Sequence, residues 1–160
     1  MNTFISYTRE KQKYDHVVSG FQDRLQNELR LRKRTSSVFM DASMIATGMR
    51  FPAEIDKALK SADVLIVLLS PAWLESEWCR RELENFVKFK GEQGKFPAVL
   101  PLLWVSVNLD DHPNDALVSF LEPIQYRDWR DLRKKEWSSY DMRNEVDEIA
   151  DALFELAKMN

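Results

Sequence analysis

Apolar positions follow two alternating patterns along the chain, and together they predict an α/β fold. Short apolar runs predict five strands, at residues 4–7, 37–41, 63–70, 98–105 and 124–128. Between them, apolar residues recur at helical spacing. Val18, Phe21, Leu25 and Leu29 mark the first such helix, and a stripe over residues 146–157 marks the last.

The order of the strands follows from the same alternation. Residues 63–70 form an almost unbroken apolar run, typical of a parallel strand buried on both faces. Strands alternating with helices predict a parallel sheet with helices on both faces. For five strands we expect the flavodoxin-like order 2-1-3-4-5, in which the chain reverses direction between strands 1 and 3. A ligand crevice is therefore expected beside the loops that follow Tyr7 and Ser70.

Single residues refine this outline. Pro52 is expected to begin a helix, where its missing N–H costs nothing. Ser76 is expected to cap the next helix, whose core stripe includes Cys79 and Leu83. Pro101 predicts a bulge or lost pairing in the fourth strand, because proline cannot donate to the ladder. Residues 106–123 are expected to form a long loop with at most a helical turn.

Length and charge narrow the class of protein. The 160 residues fit one domain, 1–160, and the net charge of −3 gives no reason to expect nucleic-acid or membrane binding. The basic run at residues 30–34 is interpreted as complementing a helix dipole. With one cysteine and no signal peptide or membrane-length apolar stretch, we expect a cytoplasmic protein in a reducing compartment.

Common nucleotide and metal motifs are absent from the sequence. Its four glycines form neither G-x-G-x-x-G nor a P-loop. The third strand ends in Ser70 rather than an aspartate, and His16 and His112 are isolated. We therefore expect no metal site and no bound cofactor.

Trp78 and Glu82 are the residues most suggestive of chemistry. They lie four apart, on one side of a helix, and we expect them to face the crevice. An indole face attracts a cationic ring, and a carboxylate can meet sugar hydroxyls or developing positive charge. The alternative is structural: Trp78 fills a gap in the packing and Glu82 pairs with an arginine.

Three segments resemble the TIR (Toll/interleukin-1 receptor) family, and the resemblance extends from residue 3 to about residue 158. Residues 4–7, F-I-S-Y, look like the first conserved box. Residues 41–51, which include Gly48, fall where the family has its BB loop. Residues 70–83 read S-P-A-W-L-E-S-E-W-C-R-R-E-L and are similar to the S-P-x-(Tyr/Trp)-x-x-S-x-W-C-x-x-E-L signature of bacterial and plant members.

The resemblance implies a flavodoxin-like fold and an enzyme that releases nicotinamide from NAD+, which is a substrate rather than a cofactor. Glu82 takes the position of the catalytic glutamate, and Trp78 completes the W-x-x-x-E pair. The product is ADP-ribose or a cyclised isomer, and the expected role is bacterial antiphage immunity or cell death. The alternative is a non-catalytic TIR–TIR scaffold. Further substrate-binding residues are predicted around the crevice: Ser6, Tyr7, Thr8, Arg9, Asp41 and Trp73.

The loop at residues 42–51 is predicted to mediate self-assembly. It is long for a strand-to-helix connection and carries Met44, Ile45 and Met49 around Gly48. It lacks the proline of animal receptor members, which favours the enzymatic branch. The resemblance implies head-to-tail contacts with other TIR domains, which would build filaments rather than closed dimers. A sensor domain, fused or separate, is a further expected partner.

Overall fold

A computed structural model describes residues 1–8, 15–40 and 52–160, apart from the side chains of residues 15, 16 and 52. The predictions for Arg9, Asp41 and the loop at 42–51, with Met44, Ile45, Gly48 and Met49, lie outside these residues and stay predictions. The strands are β1 Asn2–Ser6, β2 Ser37–Met40, β3 Val64–Leu69, β4 Ala98–Leu103 and β5 Arg127–Asp128. The helices are α1 Asp15–Arg32, α2 Pro52–Ser61, α3 Pro71–Glu75, α4 Glu77–Glu92, α5 Ala116–Leu121 and α6 Tyr140–Ala157.

The five strands form one sheet in the order β2-β1-β3-β4-β5, and every pairing is parallel. The predicted flavodoxin-like order is confirmed. Helices cover both faces. Residues along β3 alternate between them: Ile66 and Leu68 pack on the side of α1 and α6. Leu65 and Val67 pack on the side of α2, α3, α4 and α5. Of the helices in the described residues, none is long and apolar enough to span a bilayer.

Pro101 does not interrupt the pairing of β4 with β3. Its pairing with Val67 belongs to an unbroken register between β3 and β4, so the predicted bulge is wrong. The carbonyl of Leu103 accepts from Trp129 N–H at 2.9 Å on the β5 side. Residues two apart in a strand face the same neighbour, so Pro101 also faces β5. Pairing with β5 begins only at Leu102, so Pro101 is unpaired on that side, in agreement with the lost pairing that was the other alternative.

Helix boundaries follow local chemistry closely. Helix α2 begins at Pro52, and Ser76 caps α4, both as predicted. Helix α5 lies inside the segment expected to be a loop. It begins where the Asp115 carboxylate accepts from the backbone N–H groups of Leu117 and Val118, at 3.0 and 3.3 Å. Six residues are too short a run to reveal a helical period in the sequence, so only the cap marks its start.

Two strand ends also differ from the sequence patterns. Strand β1 ends at Ser6, one residue before the predicted end, and Tyr7 leaves the sheet. Strand β5 is limited to Arg127 and Asp128 rather than extending over 124–128. Tyr126 is an exposed residue just before it, so the apolar character of that run does not reflect burial in the sheet.

Candidate active site

Glu82 lies on the first turns of α4 with its carboxylate turned into the protein. The residue is only 4% exposed. Its Oε2 accepts a hydrogen bond from Ser6 Oγ at 2.5 Å, and its Oε1 accepts from Trp78 Nε1 at 3.0 Å. Both oxygens therefore act as acceptors, which is the hydrogen-bonding pattern of an ionised carboxylate.

A second tryptophan hydrogen-bonds to the same serine. Trp73 Nε1 donates to Ser6 Oγ at 3.1 Å, and an indole N–H can only donate. The Ser6 hydroxyl accepts this bond and still has its own hydrogen to donate to Glu82. The chain Trp73–Ser6–Glu82, closed by Trp78, is called the Glu82 cluster below.

Local sequence places the four members of the cluster. Ser70 Oγ accepts from Trp73 N–H at 3.1 Å and starts α3, which carries the Trp73 indole. Ser76 Oγ accepts from Cys79 N–H at 3.2 Å and starts α4. Ser6 ends β1 two residues after Phe4, so both point to the α4 side of the sheet. The cluster thus joins the carboxyl end of β1 to the beginning of α4.

Among the described residues, the space beside Glu82 is small. The cavity there measures about 10 Å³, about enough for a single water. Trp73, expected to border the crevice, is fully buried, and its indole hydrogen-bonds to Ser6. Ser6 is fully buried as well, whereas Trp78 is partly exposed. The loop at residues 42–51, which is expected beside this crevice, lies outside the described residues, so the open crevice stays a prediction.

Tyr7 and Thr8 line a different and much larger cavity of about 430 Å³. It lies on the α1 side of β1, where Tyr7 packs against the core beneath α1 and α6. The structure therefore brings Ser6, Trp73, Trp78 and Glu82 together, and places Tyr7 and Thr8 next to them on the other side of the strand. The remaining lining residues are Val18, Ser70, Pro71, Ala72, Glu75, Trp104, Val105 and Arg133.

Three polar or aromatic residues of this cavity were not predicted from the sequence: Glu75, Trp104 and Arg133. Trp104 directly follows β4, so the rule that ligands gather at the carboxyl ends of parallel strands would have found it. Arg133 lies in a connection after β5 that carries no sequence motif. Only the folded chain brings it to this edge of the sheet.

Cys79 has the structural role expected of it, and one residue of the basic run forms ion pairs. Cys79 is buried in the core stripe of α4. In the basic run, Arg32 pairs with Glu28 on its own helix and with Asp147 and Asp151 on α6. These three carboxylates raise the pKa of the Arg32 guanidinium against the opposing effect of its burial. Arg32 therefore fastens α1 to α6.

Comparison with known proteins places the chain in a family. A family model described as "TIR domain" matches residues 3–144. Among curated proteins, none matches significantly. The chain is similar to the RPS4 and RRS1 TIR domain heterodimer, with 16% identity, a TM-score of 0.54 and 99% of each chain covered.

Two further solved structures are similar to the chain. One is the TIR domain of the Toll-related receptor TRR-2 from Hydra magnipapillata, with 17% identity, a TM-score of 0.50, and 90% of this chain and 96% of that chain covered. The other is the TIR domains of the activated Roq1 resistosome, with 20% identity, a TM-score of 0.48, and coverages of 99% and 84%. At these identities the likeness concerns the fold. Together with the family model, which spans most of the sequence, the parallel sheet and its α4 signature show that the chain belongs to the TIR domain family.

Proposed function

We propose that this domain cleaves NAD+ at the bond between nicotinamide and ribose, with Glu82 as the catalytic residue. The observation that carries the proposal is the buried Glu82 carboxylate, which accepts hydrogen bonds from Ser6 and Trp78 where β1 ends. Placing a carboxylate in the interior costs free energy unless its hydrogen bonds are well satisfied, and such groups gather at functional sites. The matching W-x-x-x-E motif of the family assigns the same residue.

The chemistry requires a single carboxylate. When the C1′–N bond breaks, its electron pair goes to the nicotinamide nitrogen, and nicotinamide leaves as a neutral molecule. No general acid is needed. The ribose C1′ becomes an oxocarbenium-like centre, which the negative charge of Glu82 stabilises. Capture by water then gives ADP-ribose and releases one proton. Capture by a group of the same dinucleotide gives a cyclised isomer.

Substrate access requires the cluster to open. Trp78 is its partly exposed member, and its N–H covers Oε1 of Glu82. Turning the indole aside would free Oε1 for a ribose hydroxyl and present the ring to the nicotinamide. Ser6 would keep Oε2 in place throughout. Trp78 then acts first as a cover and afterwards as a stacking surface.

Self-assembly is proposed as the event that activates the enzyme. The expected contact is head-to-tail between TIR domains and involves the loop at residues 42–51. A solved structure with the same fold is a heterodimer of two TIR domains, which supports assembly through this fold. The corresponding cellular role would be immune signalling or cell death, driven by the consumption of NAD+.

The second candidate function is a non-catalytic TIR–TIR interaction module. The burial of the Glu82 carboxylate favours it, because the described residues leave a cavity of only about 10 Å³ beside Glu82, which is too small for a substrate. In that case the Trp78–Glu82 hydrogen bond serves only to hold α4 against β1.

Nicotinamide release separates the two candidates. Purified protein is incubated with NAD+ and free nicotinamide is measured by chromatography. We expect turnover by the wild type and a loss of about 100-fold or more in Glu82→Gln, which keeps the shape of the side chain and loses its charge. Glu84→Gln, an exposed position on the same helix, is the matched control and should retain activity. Full turnover by a folded Glu82→Gln variant contradicts the assignment.

A dilution series tests the role of assembly. Specific activity should climb with protein concentration, and Ile45→Asp or Met49→Asp should suppress that rise by placing a charge in the contact. Release that is absent at every concentration, including in crowded solution, would favour the interaction module. Constant specific activity over about two decades of dilution, indifferent to both substitutions, would show an enzyme that works as a monomer.

A further inference from the structure

The cavity of about 430 Å³ beside β1 has the size of a small-molecule site. It opens at the carboxyl ends of β1, β3 and β4, which contribute Tyr7, Ser70 and Trp104. Ligands of parallel α/β sheets bind at this edge. Among the described residues, the cavity shares no lining residue with the small space next to Glu82.

Arg133 supplies a fixed positive charge to this cavity. Its Nε donates to the carbonyl oxygen of Trp104 at 2.8 Å, which sets the plane of the guanidinium. Its backbone N–H donates to the carbonyl of Trp129 at 3.0 Å, and the neighbouring Leu132 packs against the core. Within the part of the chain that the structure describes, Nη1 and Nη2 of Arg133 make no hydrogen bond. A planar fork with two available N–H groups fits a phosphate.

The other polar and aromatic groups around the cavity suit the rest of a nucleotide. The Ser70 hydroxyl accepts from Trp73 N–H and, among the described residues, has no acceptor for its own hydrogen. Glu75 places an exposed carboxylate in the lining, and carboxylates accept hydrogen bonds from ribose hydroxyls. Tyr7 and Trp104 offer ring surfaces on which a base can stack. A cation can bind the phosphates of a nucleotide, a carboxylate its ribose hydroxyls, and an aromatic ring its base.

We propose that this cavity binds a nucleoside diphosphate, with Arg133 holding its phosphates. Resting on the proposed function, the ligand is the adenosine diphosphate half of NAD+. Arg133 is then a substrate-binding residue that lies about fifty positions from the W-x-x-x-E motif.

The connection between the cavity and Glu82 supports this assignment. Tyr7 in the cavity wall directly follows Ser6, whose hydroxyl donates to Glu82. Ser70, also in the wall, caps the helix that carries the Trp73 indole to Ser6. The two sites therefore share the same two strand ends. A dinucleotide with its phosphates on Arg133 would have to pass the ends of β1 and β3 to bring its nicotinamide riboside to Glu82.

Binding of ADP measured by calorimetry tests the proposal without requiring turnover. We expect Arg133→Gln to weaken ADP binding by about 10- to 100-fold, the loss of a charge-assisted hydrogen-bonded contact. Lys134→Gln is the matched control, because it removes the same charge one residue away, at an exposed position outside the cavity lining. It should bind ADP like the wild type. Thermal melts of all three proteins report whether the fold survives.

A second ligand distinguishes the loss of the phosphate contact from general damage to the variant protein. Adenosine lacks phosphates, so the wild type should prefer ADP to adenosine, and Arg133→Gln should bind both about equally. Equal ADP affinity in the wild type and a folded Arg133→Gln protein overturns the proposal, as does a wild type that does not bind ADP.

Failure of the cleavage reaction is distinguishable from failure of the nucleotide site. Arg133-dependent ADP binding without any nicotinamide release sustains the site and removes the enzymatic function. Nicotinamide release whose KM is the same in the wild type and Arg133→Gln sustains the function and removes the site.

Discussion

The Glu82 cluster and the cavity that Arg133 lines, called the Arg133 cavity below, lie on opposite sides of β1 and differ in volume and in hydrogen bonding. In the cluster, the carboxylate, the hydroxyl and both indoles are joined by hydrogen bonds, and the space that Trp78 and Glu82 border measures about 10 Å³. In the cavity, a guanidinium, a carboxylate and ring surfaces border about 430 Å³. One region is closed and satisfied by protein groups, whereas the other has room for a ligand.

This difference suggests that one region stabilises charge and the other binds the ligand. Hydrogen bonds in a dry interior hold a carboxylate in one orientation, as charge stabilisation requires. An open cavity whose hydrogen-bond donors are already oriented can bind a ligand with little rearrangement of its side chains. The fold would therefore keep the chemical group and the binding groups apart, joined only through β1 and β3. The four predictions below test whether the contrast is real, from the largest expected effect to the smallest.

Truncating the carboxylates of the two regions should have very different effects on stability. Glu82→Ala leaves the Ser6 hydroxyl and the Trp78 indole without their acceptor and should lower the free energy of unfolding by about 2–4 kcal/mol. Glu75→Ala, in the cavity, should change it by less than about 0.5 kcal/mol. Urea denaturation measures both. Equal costs at the two positions would mean that the cluster is no more closed than the cavity.

The hydroxyls of Ser6, at the end of β1, and of Thr8, in the cavity, offer a second comparison. Ser6→Ala removes the acceptor of Trp73 and the donor to Glu82, and should cost about 1–3 kcal/mol of unfolding free energy and reduce nicotinamide release. Thr8→Val keeps the shape of a cavity residue and should leave stability within about 0.5 kcal/mol of the wild type. A Ser6→Ala protein as stable as the wild type would show that solvent reaches the cluster.

Trp78 tests whether the cover of the cluster also serves the substrate. Both Trp78→Phe and Trp78→Ala lose the N–H donated to Glu82, but only the phenylalanine keeps a ring. We expect Trp78→Phe to release nicotinamide about fivefold faster than Trp78→Ala, since a stacking contact is worth about 1 kcal/mol. Matching rates in two folded variants would limit Trp78 to packing.

Asp115 is a carboxylate on the same face of the sheet that is held by a cation rather than by neutral donors. The hydrogen bond from Arg80 at 2.8 Å, and the N–H groups of α5, keep the pKa of Asp115 below its ordinary value of 3.8. A pKa lowered by folding stabilises the protein above the unfolded-state pKa, and this stabilisation disappears as the pH falls through the lower folded-state pKa.

Asp115→Asn keeps an oxygen that can cap α5 but loses the ion pair with Arg80, so it should cost about 1 kcal/mol near neutral pH and progressively less below about pH 4. Unfolding curves collected between neutral and acidic pH, for the variant and the wild type, measure the difference. A cost that stays constant down to the lowest pH would mean that the charge of Asp115 contributes nothing beyond its shape.

Much of the fold could be predicted because it depends on local patterns. The buried β3 run and the apolar stripes of α1 and α6 have periods that only one secondary structure can satisfy. Caps such as Ser76 act on the next three residues of the chain. The strand order followed from the alternation of strands and helices and the rules for connecting them. Helix α5 and the short β5 were misjudged. Helix α5 is too short to show a helical period, and the extent of β5 depends on its pairing with β4.

For the site, the sequence by itself determined which residues carry chemistry on one element. The spacing of Trp78 and Glu82 places them on one side of a helix whatever surrounds it. Only the tertiary structure decided that Ser6 and Trp73 close over the carboxylate, because their hydrogen bonds span 76 and 67 residues of chain. Likewise, only the structure brought Arg133 beside Tyr7. Periodicity specifies the face on which a side chain lies, whereas the packing of whole elements specifies what that face meets and how much space remains between them.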